Sequence, residues 1–248
     1  MQAIIMAAGK GSRLGGLTAD MPKAFLEIKG IKLIEYNIAL LHSCGIKDII
    51  LVTGYRSEDF EELARGTEGV RCVFNPFYEM VNVLGSFYMA QEYLMEDTVY
   101  MHADTLCAPE IFREMLREEG DMVLPVDHKP CDEEAMKVRT ENERLVEISK
   151  QIPCDVGEGE FIGIAKIGRN ILEDLRKAAR KVLKEKRFNS YFEAAIQELV
   201  ELGGYDLRIL PTKGAFWAEV DFQEDYEKAA AGISKELVKI AEEEFGKA

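Results

Sequence analysis

The feature that most constrains this chain is the passage from an apolar run, Gln2–Ala7, straight into Ala8-Gly9-Lys10-Gly11-Ser12-Arg13-Leu14, followed by Met21-Pro22-Lys23. A short apolar run without turn formers predicts a buried strand, and its abrupt end in small residues predicts a loop at the strand's carboxyl end. Ala8, Gly9 and Gly11 let main-chain N–H groups come close to a ligand, since glycine accepts positive φ and carries no Cβ. Successive N–H groups then form a concave anion site, with Ser12 in the same loop. Lys10, Arg13 and Lys23 add positive charge, and Asp20 is the only acid between Gly9 and Lys23. In a chain of formal charge -14 this local reversal of sign suits a triphosphate.

Spacing separates this loop from two other phosphate motifs. The Walker loop places four residues between its first glycine and Gly-Lys-Ser/Thr, which Gly9-Lys10-Gly11-Ser12 does not. A dinucleotide fingerprint puts a third glycine where Leu14 stands. A plain strand-to-helix turn would explain the glycines and leave Arg13 and Lys23 without a purpose.

Downstream, apolar runs at 48–53, 70–74 and 98–104 read as further buried strands, and helical spacing predicts helices over 33–44, from Ser57, and over 87–94. A short extended segment is expected at 23–28. Strands alternating with helices predict a mostly parallel, Rossmann-like α/β sheet flanked by helices, whose ligands gather at the carboxyl ends of the strands. Tyr55 follows the second of these strands. Asn75 follows the third, opening an aromatic- and amide-rich loop that runs to Ser86 and either reads a base or caps the next helix. The fourth ends in Asp104 and a later short strand, 216–221, ends in Asp221, each a carboxylate at the same crevice.

From Gly120 the character changes. Residues 121–126 continue the sheet, whereas 135–140, 145–149 and 161–167 look like hairpin strands joined by polar turns such as Glu141-Asn142-Glu143. We therefore expect one domain over 1–248, with a small antiparallel lid inserted at about 127–165. Helices follow over 170–186 and 191–202, a strand at 205–211, and a charged helix from Asp225 that offers a surface for homodimer contact.

The first loop resembles the signature of nucleotidyltransferases that activate phosphorylated sugars and alcohols, the MobA-like NTP transferase fold: strand, Ala-Ala-Gly-x-Gly-x-Arg-Leu, then Pro-Lys. Within that group the chain is most similar to cytidylyltransferases acting on phosphocholine or 2-aminoethylphosphonate. Val52-Thr-Gly-Tyr55, Asn75 with Asn82, Glu160-Phe-Ile-Gly-Ile164 and Glu219-Val-Asp221 before Asp225-Tyr226 carry that likeness, and Val83 departs from it where a polar residue is expected. The resemblance implies transfer of CMP from CTP to a small phosphate or phosphonate acceptor, with pyrophosphate released. It implies Arg13 on the β- and γ-phosphates, Lys23 at the α-phosphate, and Mg²⁺ on Asp104 and Asp221. Ala8, Gly9, Gly11, Ser12, Tyr55, Asn75 and Ser86 would hold the nucleotide, and Lys150 and Glu160 the acceptor. A sugar-1-phosphate or inositol-1-phosphate enzyme, a molybdopterin-type transferase and an inactive nucleotide-binding regulatory subunit are the competing expectations.

Composition excludes other classes. Hydrophobic residues make up 47 % of 248, too many for a disordered chain, and no apolar run reaches the roughly 20 residues of a membrane span. Acidic residues outnumber basic ones 45 to 31, which disfavours nucleic acid as a partner. Cys44, Cys72, Cys107, Cys131 and Cys154 are scattered and odd in number, and no basic leader precedes the first strand, so a reduced, cytoplasmic setting is the expectation.

Overall fold

The computed structural model describes residues 1–11, 13, 14, 18 and 20–246. Strand β1 (Gln2–Ala7) lies inside the sheet with every residue buried. After the first loop a 3-10 turn at Lys23–Phe25 leads into a ribbon of β2 (Glu27–Ile28) and β3 (Ile31–Lys32), in place of the expected single extended segment. Helix α1 (Leu33–Ser43), strand β4 (Asp48–Thr53), helix α2 (Ser57–Arg65) and strand β5 (Val70–Phe74) complete a βαβαβ run. Ser57 is the first helical residue rather than a side-chain cap, and Arg56 before it turns the chain with φ 49°.

Helix α3 (Val83–Ala90) begins four residues earlier than helical spacing suggested. Asn82 caps it, its Oδ1 accepting from Val83 N at 2.7 Å, so Gly85 and Ser86 lie within the helix rather than in a loop. Then come β6 (Thr98–His102), β7 (Thr105–Cys107), α4 (Pro109–Arg117) and β8 (Met122–Asp127). β9 (Lys137–Glu141) and β10 (Arg144–Ser149) form a hairpin whose turn residues Asn142 and Glu143 have φ 52° and 63°. Next are β11 (Gly159–Phe161), β12 (Ile164–Ile167), α5 (Leu172–Lys184), α6 (Glu193–Leu202), β13 (Leu207–Pro211) and β14 (Trp217–Glu219). The charged tail is two helices, α7 (Gln223–Gly232) and α8 (Lys235–Phe245), the second capped by Ser234.

Among the described residues, ten strands form one mixed sheet in the order β11-β9-β10-β13-β8-β12-β6-β1-β4-β5. β1 runs parallel to both β4 and β6, and β4 to β5. β12 is antiparallel to β6 and β8. The hairpin strands therefore extend the same sheet, and 161–167 divides at Gly163, φ 77°, into an outer strand and one that sits in the sheet's centre. Strands covered on both faces explain the unbroken apolar runs. In β1, Ala3, Ile5 and Ala7 enter one core with α1 and α4, while Ile4 and Met6 enter the other with α3, α5 and α6. Leu237 and Ala241 of α8 are buried in the first core, and His42 of α1 meets Glu244 at 2.7 Å, so this tail helix packs on its own chain. No described helix is long and apolar enough to cross a membrane.

This topology places a ligand site. β4 and β5 build outward on one side of β1, and the chain returns through α3 to lay β6 on the other. The carboxyl end of β1 is thus the point where strand order reverses, where such sheets open a crevice.

Candidate active site

The loop after β1 is shaped by two glycines. At Gly11, φ 68°, an added Cβ would lie 2.6 Å from Lys23 Cβ, so only glycine lets the lysine stem cross here. At Gly54 a Cβ would meet Tyr78 Cβ at 2.5 Å and the Ala8 carbonyl at 2.7 Å. Tyr55 N donates to the Ala8 carbonyl at 3.1 Å, which ties the end of β4 to the back of the loop. Thr18 Oγ1 donates to the Gly11 carbonyl at 2.9 Å. Ser12 lies outside the described residues.

Lys23 is delivered by the 3-10 turn after Pro22 and is only 8 % exposed. Its Nζ stands 2.6 Å from Asp104 Oδ2 and 2.5 Å from Asp221 Oδ1. A ribbon that the sequence pattern did not reveal sets this meeting: β7 pairs antiparallel with β14, with Glu219 opposite Thr105. Val220 N donates to the Asp104 carbonyl at 3.0 Å, so the two aspartates flank one end of the ribbon. Arg13 reaches Asp221 Oδ2 at 3.4 Å from an exposed position. Burial works against the Lys23 charge, but Asp104 and Asp221 override it and hold the ammonium far above its ordinary pKa. The Asp104 carboxyl would be raised by burial, and Lys23 followed by His102 instead hold it low.

Two carboxylates converging on one cationic point make a hard oxygen donor set that fits a small divalent cation. A second group shares Asp104: ligand atoms of His102, Asp104 and Glu219 lie within 4.8 Å of one another. Its mixed nitrogen and oxygen donors suit a transition metal better than magnesium. His102 contacts the Tyr100 hydroxyl at 2.9 Å and Glu219 Oε1 at 3.4 Å. Burial lowers its pKa, but Glu219, with Asp104 and Glu193, raises it to about 9.

These groups line a cavity of about 780 Å³. Toward its far side Lys129 pairs with Glu160 at 2.8 Å and lies 4.7 Å above the Trp217 ring, whose Nε1 donates to Asp127 Oδ2 at 2.9 Å. Lys150 sits 4.8 Å above the Tyr191 ring and 3.4 Å from Glu134. Burial pushes the Glu160 carboxyl up, Glu219 adds to this, and Lys129 opposes it.

Of the residues singled out in the sequence, Ala8, Gly9, Gly11, Arg13, Lys23, Ser86, Asp104, Lys150, Glu160 and Asp221 line this one cavity. Tyr55 and Asn75 are not in its wall. Asn75 is fully buried, donates to Ser86 Oγ at 3.0 Å and accepts from Phe77 N at 2.9 Å, so its amide is used within the protein. Sequence reasoning gave no site role to Glu219, Glu193 and Tyr191 and read His102 as a strand residue alone, yet all four line the cavity. Glu219, two residues before Asp221 on a short strand, carried a usable signal. Glu193 did not, since an acid opening a helix reads as ordinary dipole compensation.

The model of the MobA-like NTP transferase domain matches residues 3–188. A CTP:phosphoglutamine cytidylyltransferase of Campylobacter jejuni is 27% identical over 92% of this chain and 98% of its own length. A bifunctional IPC transferase and DIPP synthase of Rubrobacter xylanophilus is 33% identical over 95% of this chain, which spans about half (51%) of that longer protein. The structure of CTP:phosphocholine cytidylyltransferase from Streptococcus pneumoniae superposes with a TM-score of 0.80 at 27% identity, covering 93% of this chain and 97% of that one.

Proposed function

The chain belongs to the MobA-like NTP transferase family, and from that premise we propose that it is a cytidylyltransferase moving CMP from CTP to a small, amine-bearing phosphate or phosphonate, such as 2-aminoethylphosphonate or phosphocholine. The observation that carries the reading is the meeting of Lys23 with Asp104 and Asp221 at the mouth of a glycine loop. An inactive nucleotide-binding subunit would have no reason to keep that arrangement together with Arg13. Relatives named as cytidylyltransferases, two of them matched over nearly their whole length, support CTP as the donor.

In this reading an ionised acceptor oxygen attacks the α-phosphorus of CTP. The new P–O bond forms as the bond to the bridging oxygen breaks, and pyrophosphate leaves with the electron pair. The attacking oxygen is already deprotonated, so no general base is required. Main-chain N–H groups of the Ala8 to Gly11 loop and the Arg13 fork hold the triphosphate. Lys23 supplies positive charge where negative charge develops on the α-phosphate. Asp104 and Asp221 are suited to Mg²⁺, which when bound neutralises phosphate charge. Residues 127–165 contribute Asp127, Lys129, Lys150 and Glu160 to the cavity wall, and we assign them the role of a lid over the acceptor.

The test is pyrophosphate release with Mg²⁺, crossing four nucleoside triphosphates with 2-aminoethylphosphonate, phosphocholine, inositol-1-phosphate and glucose-1-phosphate. Release with CTP and an amine-bearing acceptor supports the reading. Release only with a polyol phosphate would favour the sugar-1-phosphate or inositol-1-phosphate reading, and silence throughout would favour the regulatory subunit.

A further inference from the structure

Glu193 stands at the start of α6, is 3 % exposed and lines the cavity. Its Oε2 has no hydrogen-bond partner among the described residues. A buried carboxylate oxygen without a donor is costly to keep, and the cost falls when an N–H or O–H group arrives. The charged and titratable groups around it are His102, Glu219, Lys150 and the Tyr100 hydroxyl, and none forms an ion pair with it.

Two of the aromatic rings that line the cavity are already covered. Lys129 lies over Trp217 and Lys150 over Tyr191, so each ring presents its face to one of the protein's own ammonium groups. A trimethylammonium group is held mainly by open aromatic faces and can donate no hydrogen bond. A primary ammonium has three N–H donors and a positive charge, which together meet what the free Glu193 oxygen lacks. A polyol hydroxyl offers the donor without the charge, in a wall that also carries Asp127, Glu160 and Glu219.

We propose that Glu193 determines acceptor specificity by taking a hydrogen bond from a primary ammonium at the tail of the acceptor, which makes the enzyme selective for aminoalkyl phosphates or phosphonates over their N-trimethylated counterparts. This rests on the nucleotidyl-transfer reading of the same site and narrows it to one class of acceptor.

The experiment measures kcat/KM with CTP for phosphoethanolamine and phosphocholine, which differ only by three N-methyl groups, in wild type, Glu193→Gln and Glu193→Ala. Wild type should prefer the primary amine by about 100-fold or more, since a site built around a substrate N–H rejects the analogue that lacks it. In both variants that ratio should fall at least about 10-fold, mainly through KM for the amine, with CTP affinity by calorimetry confirming that the fold and nucleotide site survive. A wild-type preference for phosphocholine, or a ratio unchanged in both variants while CTP still binds, would overturn the inference and leave the parent reading standing. No turnover of CTP with any acceptor would overturn both.

Discussion

Lys23 Nζ lies 2.6 Å from the Asp104 carboxylate, although the two residues are far apart in sequence: one follows the loop after β1, the other the end of β6, and those strands are neighbours in the sheet. Asp221 completes the contact at 2.5 Å. One lysine thus bridges two acids that would otherwise repel.

Lys23→Ala should lower turnover by about 10²- to 10³-fold, as loss of a group stabilising transition-state charge does. It should also destabilise the ligand-free protein by roughly 1–3 kcal/mol, discounted for the partial exposure of Asp221, with Mg²⁺ restoring part of the loss. Steady-state kinetics and thermal melts with and without Mg²⁺ check both; near-normal turnover would remove Lys23 from the chemistry.

Gly11→Ala should impair catalysis more than stability. The φ of 68° and the 2.6 Å approach to Lys23 Cβ force either the loop or the lysine stem to shift. The cost to folding is about 1–2 kcal/mol. Denaturant titration beside kcat measurement separates the two, and unchanged kcat would show that the lysine does not depend on this crossing.

Asn75→Ala should act in the opposite sense. It strands the Ser86 hydroxyl and the Phe77 N–H and should cost about 1–3 kcal/mol, while KM for the nucleotide stays within about 2-fold. A large rise in that KM at unchanged stability would put the amide back on the nucleotide.

Thiol reactivity should follow burial. Burial pushes the Cys107 thiol up to about 12 and, with Glu61 nearby, Cys72 up to about 11, whereas Cys154 is exposed. At about pH 8 a disulfide reagent should modify Cys154 first and reach Cys107 only after denaturation. Rapid labelling of Cys107 in the native protein would contradict the packing of β7.

The first loop was readable because its chemistry is local: Gly9, Gly11, Arg13 and Lys23 lie within 15 residues, and the strand ahead of them is apolar throughout. Strands β4 and β5 were readable for the same reason. The start of α3 was misplaced because Asn75, Asn82 and the aromatics between them look like loop; a cap in this segment was one of two readings, and the structure assigns it to Asn82. The β7 ribbon was invisible, since three residues have no periodicity of their own and exist as a strand only by pairing with β14. The acceptor side was least legible. Glu160 was expected on the acceptor, but Lys129, Glu160 and Trp217 are far apart in sequence, and nothing in their spacing shows that they meet until the fold joins them.

The most direct measurement is ³¹P NMR of wild-type protein with CTP, Mg²⁺ and 2-aminoethylphosphonate in one tube. The account predicts loss of the CTP resonances with equal growth of pyrophosphate and of a mixed phosphate–phosphonate anhydride. Unchanged CTP, or its conversion to CDP and orthophosphate without a new anhydride, would contradict it.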